Sequence, residues 1–183
     1  MVILITGGIR SGKSDFAVKL AQKLGGDSVL YIATMKAIDE ECLRRIERHR
    51  LDRPKTWALV EAYRNLGDIL RGYDQKVILL DCVTNLISSI MMDVDLTWEN
   101  VDDKTIIQVE KYIIEEIRNL LKVSGELSST LIVVTNEVGS ALVPITRLGR
   151  IFVDYVGRIN KLLAEKADEV FLMVCGIPLK IKG

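Results

Sequence analysis

The feature that most constrains this chain is a glycine-rich segment near its start, between an apolar run and a helical pattern. The segment fits G-x-x-x-x-G-K-[ST] and consists of Gly7, Gly8, Ile9, Arg10, Ser11, Gly12, Lys13 and Ser14. Glycines let backbone N–H groups surround phosphate oxygens, and the N-terminus of the following helix adds positive potential. Because the flanking context is the one that this pattern requires, the segment predicts a strand–loop–helix unit that binds a nucleotide.

Three side chains are candidates for phosphate and metal chemistry. Lys13 is expected to reach the β- and γ-phosphates, and the Ser14 hydroxyl is expected to bind Mg²⁺. Asp81 ends the apolar run Val77–Asp81, where phosphate-loop proteins place a carboxylate that holds Mg²⁺ directly or through water. The alternatives are a glycine-rich turn with an exposed lysine, and an aspartate that only ends a buried strand.

Short β-rich runs alternate with helical patterns along the chain. The predicted strands are Val2–Thr6, Val29–Ala33, Val77–Asp81, Thr130–Thr135, Glu169–Val174 and Pro178–Ile181. The predicted helices are Lys13–Leu24, Asp39–Arg50, Arg64–Arg71 and, with approximate ends, Asp103–Val123 and Gly149–Lys166. This alternation predicts an α/β fold in which helices flank a mostly parallel sheet, and the proline in Gly176-Ile177-Pro178 favours an antiparallel edge strand. No linker is evident, so residues 1–183 are expected to form one catalytic domain.

The composition excludes several classes of protein and partner. The chain has 183 residues, of which 49% are hydrophobic, so it can bury a large core and is not intrinsically disordered. Its 25 basic and 25 acidic residues cancel, which argues against nucleic-acid binding. Three distant cysteines indicate neither a disulfide framework nor a cysteine-rich zinc site, and no apolar run is long enough to span a membrane. A cytoplasmic location is therefore expected.

The single histidine of the chain lies in its most basic segment. Residues 44–53 contain five arginines around His49. The residues alone leave two interpretations open. One is a solvated basic helix whose histidine packs at the C-terminal end. The other is a site in which arginines bind phosphates while a neutral His49 attacks one of them and forms a phosphoramidate.

Further motifs extend over the whole chain. They are T-G-G-x-R-S-G-K-S at 6–14, Y-I-A-T at 31–34, R-I-x-x-H at 45–49, R-P-x-x-W-x-x-x-E at 53–61, L-L-D-C at 79–82, V-T-N-E-V-G at 134–139, G-R-x-N at 157–160, A-D-E-V at 167–170 and G-I-P at 176–178. With these motifs the chain resembles the bifunctional adenosylcobinamide kinase/adenosylcobinamide-phosphate guanylyltransferases of cobalamin biosynthesis. The basic histidine segment and T-N-E-V-G are the specific ones, because many families share the phosphate loop.

The resemblance implies a role for each candidate residue. It implies that His49 carries GMP covalently and that Lys13 is the second catalytic residue. The residues implied to contact the nucleotide beyond the loop are Ile32, Ala33, Thr34, Arg50, Leu51, Asp52, Arg53, Glu61 and Asp81, with Glu61 on the guanine nucleotide. Several relatives have Glu where this chain has Asp81, and the shorter carboxylate has less reach toward a metal.

The resemblance also implies an activity and an assembly. The enzyme is expected to phosphorylate adenosylcobinamide with ATP or GTP, and then to transfer GMP from GTP to the new phosphate with release of pyrophosphate. A RecA-like topology and a homotrimer are implied as well. Two other functions stay open: a small-molecule kinase in which His49 is structural, and a nucleotide-binding regulatory module without phosphoryl transfer.

Four more residues have two interpretations each. Asn136 and Glu137 follow a predicted strand, where ligands gather in open α/β sheets, so a substrate or metal role competes with a helix cap. Trp57 and Trp98 are expected to pack in the core or at an interface rather than to stack on a corrinoid ring.

Overall fold

A computed structural model describes the fold over residues 1–37, 40, 43–44, 54–94 and 97–183. Within these residues one sheet contains seven strands: β1 (Val2–Gly7), β2 (Val29–Ala33), β3 (Ala58–Glu61), β4 (Val77–Asp81), β5 (Thr130–Val134), β6 (Glu169–Val174) and β7 (Ile177–Lys182). The predicted helix Asp39–Arg50 lies largely outside the described part of the chain.

The order of the strands places β1 between elements that are distant in sequence. The order is β3-β2-β4-β5-β1-β6-β7, and every neighbouring pair is parallel except β6 and β7. The carboxyl ends of β1 to β6 therefore meet at one edge of the sheet, which is where ligands bind in open α/β folds. The fold prediction, a mostly parallel α/β sheet with an antiparallel edge strand, is confirmed.

Five helices are described from end to end, and they cover both faces of the sheet. They are α1 (Lys13–Gly25), α2 (Leu66–Leu70), α3 (Val83–Asp93), α4 (Asp103–Glu126) and α5 (Arg147–Lys166), with a 3₁₀ turn at Trp98–Asn100. On one face, Ala17 and Ala21 of α1 pack against the sheet, and the other four helices pack on the opposite face. All five residues of β2 are consequently buried. In the described part of the chain, no helix is long and apolar enough to cross a membrane.

The sequence patterns do not predict β3 or α3. β3 has four residues that alternate between half-buried and exposed at the sheet edge, which is too short a run for a clear period. α3 begins with the β-branched residues Val83 and Thr84, and its N-cap Cys82 makes no side-chain cap hydrogen bond. Its position depends on tertiary packing instead, since seven of its residues are buried.

Candidate nucleotide site

The phosphate loop joins β1 to α1 at the carboxyl edge of the sheet, and its backbone requires glycine at two positions. Gly12 has a φ of +88° and is the left-handed N-cap of α1. Gly7 has a φ of +150°, and a Cβ there would lie 2.6 Å from the carbonyl oxygen of Met173. Any other residue at these positions would strain the loop or push it away from β6.

Lys13 turns back into this loop. Its Nζ donates hydrogen bonds to the carbonyl oxygen of Gly8 at 2.5 Å and to Ser11 Oγ at 3.4 Å. Lys13 is only 7% exposed. Burial lowers the pKa of Lys13, whereas Cys82 and Asp81 act in the opposite direction and favour the charged ammonium. The cation therefore lies inside the loop, where a phosphate-binding loop needs it.

The remaining loop residues lie as the motif predicts. Ser14 is half-buried in the first turn of α1, while Gly8, Ile9 and Arg10 are exposed and form the outer rim of the loop. The structure thus brings all eight predicted loop residues together around the Lys13 side chain.

Asp81 is held in place by Tyr31, which belongs to the motif Y-I-A-T but is given no role by the sequence patterns. Asp81 ends β4, two strand positions from β1 and so roughly 10 Å away at the usual strand spacing. The hydroxyl of Tyr31 donates a hydrogen bond of 2.6 Å to Asp81 Oδ2. Hydroxyl and carboxylate oxygens are the ligands that Mg²⁺ prefers, and this cation usually keeps several waters. Ser14 and Asp81 therefore fit a water-bridged Mg²⁺ by their chemistry.

Thr34 ties the end of β2 to the start of α3. Its Oγ1 donates to the carbonyl oxygen of Cys82 at 2.6 Å and accepts from the Cys82 backbone N–H at 3.0 Å. Ser89 Oγ donates to the carbonyl oxygen of Thr34 at 3.0 Å. Ile32 and Thr34 are fully buried and Ala33 is 9% exposed. Their predicted place beside the nucleotide stays a prediction, and their visible role is to hold this edge of the site together.

Two asparagines fix the segment that follows β5. Asn136 Nδ2 donates to Thr84 Oγ1 at 2.6 Å, and Asn160 Nδ2 donates to the carbonyl oxygen of Asn136 at 3.0 Å. Thr135 Oγ1 donates to Asn160 Oδ1 at 2.7 Å. The next helix, α5, begins only at residue 147 and has Thr146 as its N-cap, so the helix-cap interpretation of Asn136 is wrong. A substrate or metal role stays a prediction.

The segment after β5 also touches the phosphate loop. The backbone N–H of Glu137 donates to the carbonyl oxygen of Gly7 at 2.9 Å, while its side chain is exposed and accepts from the Gly139 N–H at 2.7 Å. The motif G-R-x-N at 157–160 thus has a structural explanation, because Asn160 supports a segment that is bonded to the loop.

Glu61 lies at the other end of the same edge. It ends β3, four strand positions from β1, which corresponds to roughly 19 Å at the usual strand spacing. Its side chain is exposed. The predicted site residues therefore form two groups along the edge, one at the phosphate loop and Asp81, the other at the ends of β2 and β3.

A charged cluster beside the second group has no signal in the sequence patterns. Asp93 ends α3 and accepts hydrogen bonds from Lys36 Nζ at 2.5 Å, from the Tyr63 hydroxyl at 3.2 Å and from Arg64 Nε at 2.9 Å. The bond from Lys36 is the main reason that the pKa of Asp93 is lowered. Arg64 also stacks 5.0 Å from the ring centre of Tyr112. The cluster fixes the chain just beyond β2 and β3.

Both tryptophans are packing residues, as predicted. Trp57 is 7% exposed and donates its Nε1–H to the carbonyl oxygen of Gly26 at 3.0 Å. Trp98 is 8% exposed and donates to the carbonyl oxygen of Met91 at 3.2 Å. Trp98 lines an apolar cavity of about 590 Å³ between α3 and α5. Of the predicted site residues that the structure describes, none lines that cavity.

Five predicted site residues cannot be placed. His49, Arg50, Leu51, Asp52 and Arg53 lie outside the described residues. Their predicted contacts with the nucleotide therefore stay predictions.

Two solved structures overlap most of the chain at low sequence identity. One is the KaiC-like protein PH0186 of Pyrococcus horikoshii, 15% identical, covering 93% of this chain and 69% of that one, with a TM-score of 0.47. The other is the flagellar accessory protein FlaH of Methanocaldococcus jannaschii, which is 16% identical. It covers 99% of this chain and 77% of that one, with a TM-score of 0.48. Likenesses this weak carry no information about activity.

Comparison of the sequence with protein families decides which family the chain belongs to. The family model described as cobinamide kinase / cobinamide phosphate guanyltransferase matches residues 3–181. The chain belongs to this family. The cobinamide kinase / guanyltransferase assignment confirms the resemblance found in the motifs, and with it the prediction of a nucleotide-binding transferase.

Three named relatives align with this chain over all or nearly all of their length. The bifunctional adenosylcobalamin biosynthesis protein CobU of Escherichia coli is 41% identical over 186 residues and that of Salmonella typhimurium 40% over 187, each covering 100% of both chains. The protein CobP of Pseudomonas aeruginosa is 36% identical, covering 98% of this chain and 96% of its own.

Proposed function

We propose that this enzyme phosphorylates the aminopropanol hydroxyl of adenosylcobinamide with ATP or GTP, and then transfers GMP from GTP to that phosphate. The observation that carries the proposal is the buried ammonium of Lys13 inside a folded phosphate loop, in a chain that matches the cobinamide kinase / guanyltransferase family over residues 3–181. The two competing functions, a simple kinase and a regulatory module, do not need the basic histidine segment.

In the first reaction the substrate hydroxyl oxygen attacks the γ-phosphorus of the triphosphate. The bond between the γ-phosphorus and the bridging oxygen breaks, the nucleoside diphosphate leaves, and the hydroxyl proton passes to solvent. Lys13 exchanges its bonds to Gly8 and Ser11 for bonds to phosphate oxygens and stabilises the charge that develops on them. Mg²⁺, held by Ser14 and through water by Asp81, would add to this neutralisation.

In the second reaction His49 is the nucleophile. An imidazole nitrogen attacks the α-phosphorus of GTP, a P–N bond forms, the bond to the β-phosphate breaks, and pyrophosphate leaves while the imidazole proton passes to solvent. A phosphate oxygen of the corrinoid product then attacks the same phosphorus, the P–N bond breaks, and His49 takes up a proton. Arg50 and Arg53 are suited to bind the phosphates because guanidinium groups pair with them in a fork geometry.

The two groups of site residues support one extended nucleotide along the sheet edge. The phosphate loop would hold the β- and γ-phosphates at the end of β1, and Glu61 would contact the guanine at the end of β3. The cluster of Lys36, Arg64 and Asp93 keeps the β2–β3 end of this path in place.

The wider setting is also a proposal. We infer that residues 1–183 act as one domain, because the first and last strands of the chain belong to the same sheet. We infer a homotrimer in the cytoplasm from the resemblance. Three exposed apolar side chains, Leu142, Val143 and Ile145, are candidates for the contact between subunits, since isolated monomers seldom expose such a patch.

The test is a product analysis with GTP, Mg²⁺ and adenosylcobinamide, resolved by mass. The proposed enzyme gives the phosphate ester and then the GDP derivative with release of pyrophosphate. Phosphate ester alone would support the simple kinase, and no product would support the regulatory module.

The His49→Ala variant divides the two reactions. GTP labelled at the α-phosphate should mark the wild-type protein in an acid-labile, base-stable bond, and the variant should remain unlabelled while it still makes the phosphate ester. Lys55→Ala, which alters an exposed lysine just beyond the segment, is the matched control and should be labelled normally. Label on His49→Ala would contradict the covalent step.

A further inference from the structure

The turn between β6 and β7 has a conformation that few residues accept. β6 ends at Val174 and pairs with Ile177 of β7, so the turn consists of Cys175 and Gly176 alone. Both have positive φ, +52° for Cys175 and +83° for Gly176. Two successive positive φ angles characterise a type I′ hairpin turn, and the second position usually belongs to glycine.

This turn contacts the phosphate loop. The backbone N–H of Gly176 donates a hydrogen bond of 3.0 Å to the carbonyl oxygen of Ser11. A Cβ placed on Gly12 would lie 3.2 Å from the Cα of Gly176, so the two backbones are close together. The other end of the same loop meets β6, where Gly7 lies against the carbonyl of Met173.

We propose that the β6–β7 turn is a positioning element for the phosphate loop and that Gly176 is its positioning residue. The inference rests on the proposed binding of a nucleoside triphosphate at the loop. Ser11 and Gly12 share one peptide group, and in a trans peptide the C=O and the N–H point in opposite directions. By holding the Ser11 carbonyl outward, Gly176 directs the Gly12 N–H toward the phosphates.

A carbonyl in the reverse orientation would oppose binding. If the Ser11–Gly12 peptide turned over, its oxygen would face the phosphate oxygens and its N–H would be lost to them. The motif G-I-P at 176–178 thereby has a role in binding as well as in the fold: its glycine holds the turn, and Pro178 lies in the exposed edge strand.

Substitutions at Gly176 separate backbone preference from size. A Cβ at Gly176 meets no atom within 4 Å, so a side chain causes no direct clash. Valine strongly resists positive φ, whereas asparagine tolerates it. Gly176→Val should shift the turn and release Ser11, and Gly176→Asn should keep both. Gly176→Ala, which is less strained than valine, serves if the valine variant does not fold.

Gly26→Val is the matched control. Gly26 follows α1, has a φ of +57°, and a Cβ there also meets nothing within 4 Å. With a ψ of −120°, Gly26 lies in a region that is nearly exclusive to glycine, so valine there adds strain at the far end of α1, away from the phosphate loop. The thermal unfolding temperature of Gly26→Val should fall at least as much as that of Gly176→Val, without an effect on nucleotide affinity.

The measurement is the Kd for GTP with Mg²⁺ by calorimetry, with thermal unfolding of each nucleotide-free variant. We expect Gly176→Val to raise Kd at least about tenfold, the lower limit for losing one hydrogen bond to a charged group, and Gly176→Asn to stay within about twofold. Equal Kd values for wild type and Gly176→Val, or a Gly176→Asn variant as weak as valine, would overturn the inference. A wild-type protein that binds no GTP would instead refute the proposed function, and the inference with it.

Discussion

Lys13 is almost fully buried, although an ammonium group loses favourable hydration when water is excluded from it. The loop compensates with the carbonyl oxygen of Gly8 and the hydroxyl oxygen of Ser11, which both accept hydrogen bonds from Nζ. The Lys13 side chain is thus held inside the loop. Its replacement should affect phosphoryl transfer more than the packing of the fold.

Lys13→Ala should lower the rate of phosphoryl transfer by at least about 100-fold, because a preorganised donor to developing charge is worth several kcal/mol. The rate is measured as formation of the phosphate ester. Lys19→Ala, at an exposed position of the same helix, is the control and should keep the wild-type rate. A folded Lys13→Ala protein with near-native rates would exclude the assigned role.

The cysteines give a prediction about pH. Burial is the main cause that raises the pKa of Cys82 to about 11, with a further contribution from Asp81, while Cys175 is exposed at the hairpin turn. At pH 8 iodoacetamide should modify Cys175 and leave Cys82 intact, since only the thiolate reacts. Peptide mass mapping follows the Cys82 and Cys175 peptides separately, and in urea the thiols of both these residues should react. Modification of Cys82 in the folded protein at pH 8 would contradict its burial.

The raised pKa of Cys82 also makes the stability of the folded protein depend on pH. The Cys82 thiol ionises near 9.0 in an unfolded chain and near 11 in the folded protein. The folded state therefore holds a proton that the unfolded state releases, and its contribution to stability is complete below pH 9 and is lost as the pH rises toward 11.

Among the described elements, α5 is bonded to the segment after β5 through the side chain of Asn160. The Asn160 side chain is hydrogen-bonded to Thr135 and Asn136, which directly follow β5. The backbone N–H of Glu137, the residue after Asn136, donates to the carbonyl oxygen of Gly7 in the phosphate loop. Asn160→Ala leaves two polar groups without their partner. It should lower the free energy of unfolding by about 1–3 kcal/mol.

Urea denaturation measures the effect of Asn160→Ala, and Lys161→Ala on the exposed face of α5 is the control. We expect the KM for the nucleotide to rise in Asn160→Ala because the strand end beside the loop is loosened. A variant as stable as the control would show that the asparagine bonds are replaced by water at no cost.

The elements also show where sequence patterns suffice. The strands β1, β4 and β6 are long apolar runs, and the loop after β1 has a motif, so both were predictable. β3 and α3 have weak local signals and depend on the rest of the sheet. The contacts that complete the site, such as Tyr31 with Asp81 and Asn160 with Asn136, join residues that are 24 or 50 positions apart. All four residues belong to motifs, but a motif does not show which of its residues bond to each other in the fold.

At the scale of the whole molecule, the most exposed large apolar side chains among the described residues lie in the loop from β5 to α5. Leu142, Val143 and Ile145 are 94%, 81% and 96% exposed. Contact between copies of the chain would cover them. Sedimentation velocity should therefore give a mass near three times 20.5 kDa for the wild type.

Ile145→Glu should shift that mass toward the monomer, because burying an unpaired carboxylate at a contact is costly. Ile107→Glu, a half-exposed position on α4, is the control and should leave the mass unchanged. A wild-type protein that sediments as a monomer at every concentration would exclude the trimer.

Of the seven strands of the sheet, β1 is synthesised first, whereas its two partners, β5 and β6, are the fifth and sixth. Val2 pairs with Leu131, and Ile3 pairs with Glu169. At a translation rate of about 5–20 residues per second, β5, the first of these partners, is synthesised roughly 6–26 s after β1. During that interval the phosphate loop follows a strand that is not yet paired with β5 or β6. Nucleotide can therefore stabilise the phosphate loop only after β5 and β6 have been made, and it cannot guide the folding of the chain before then.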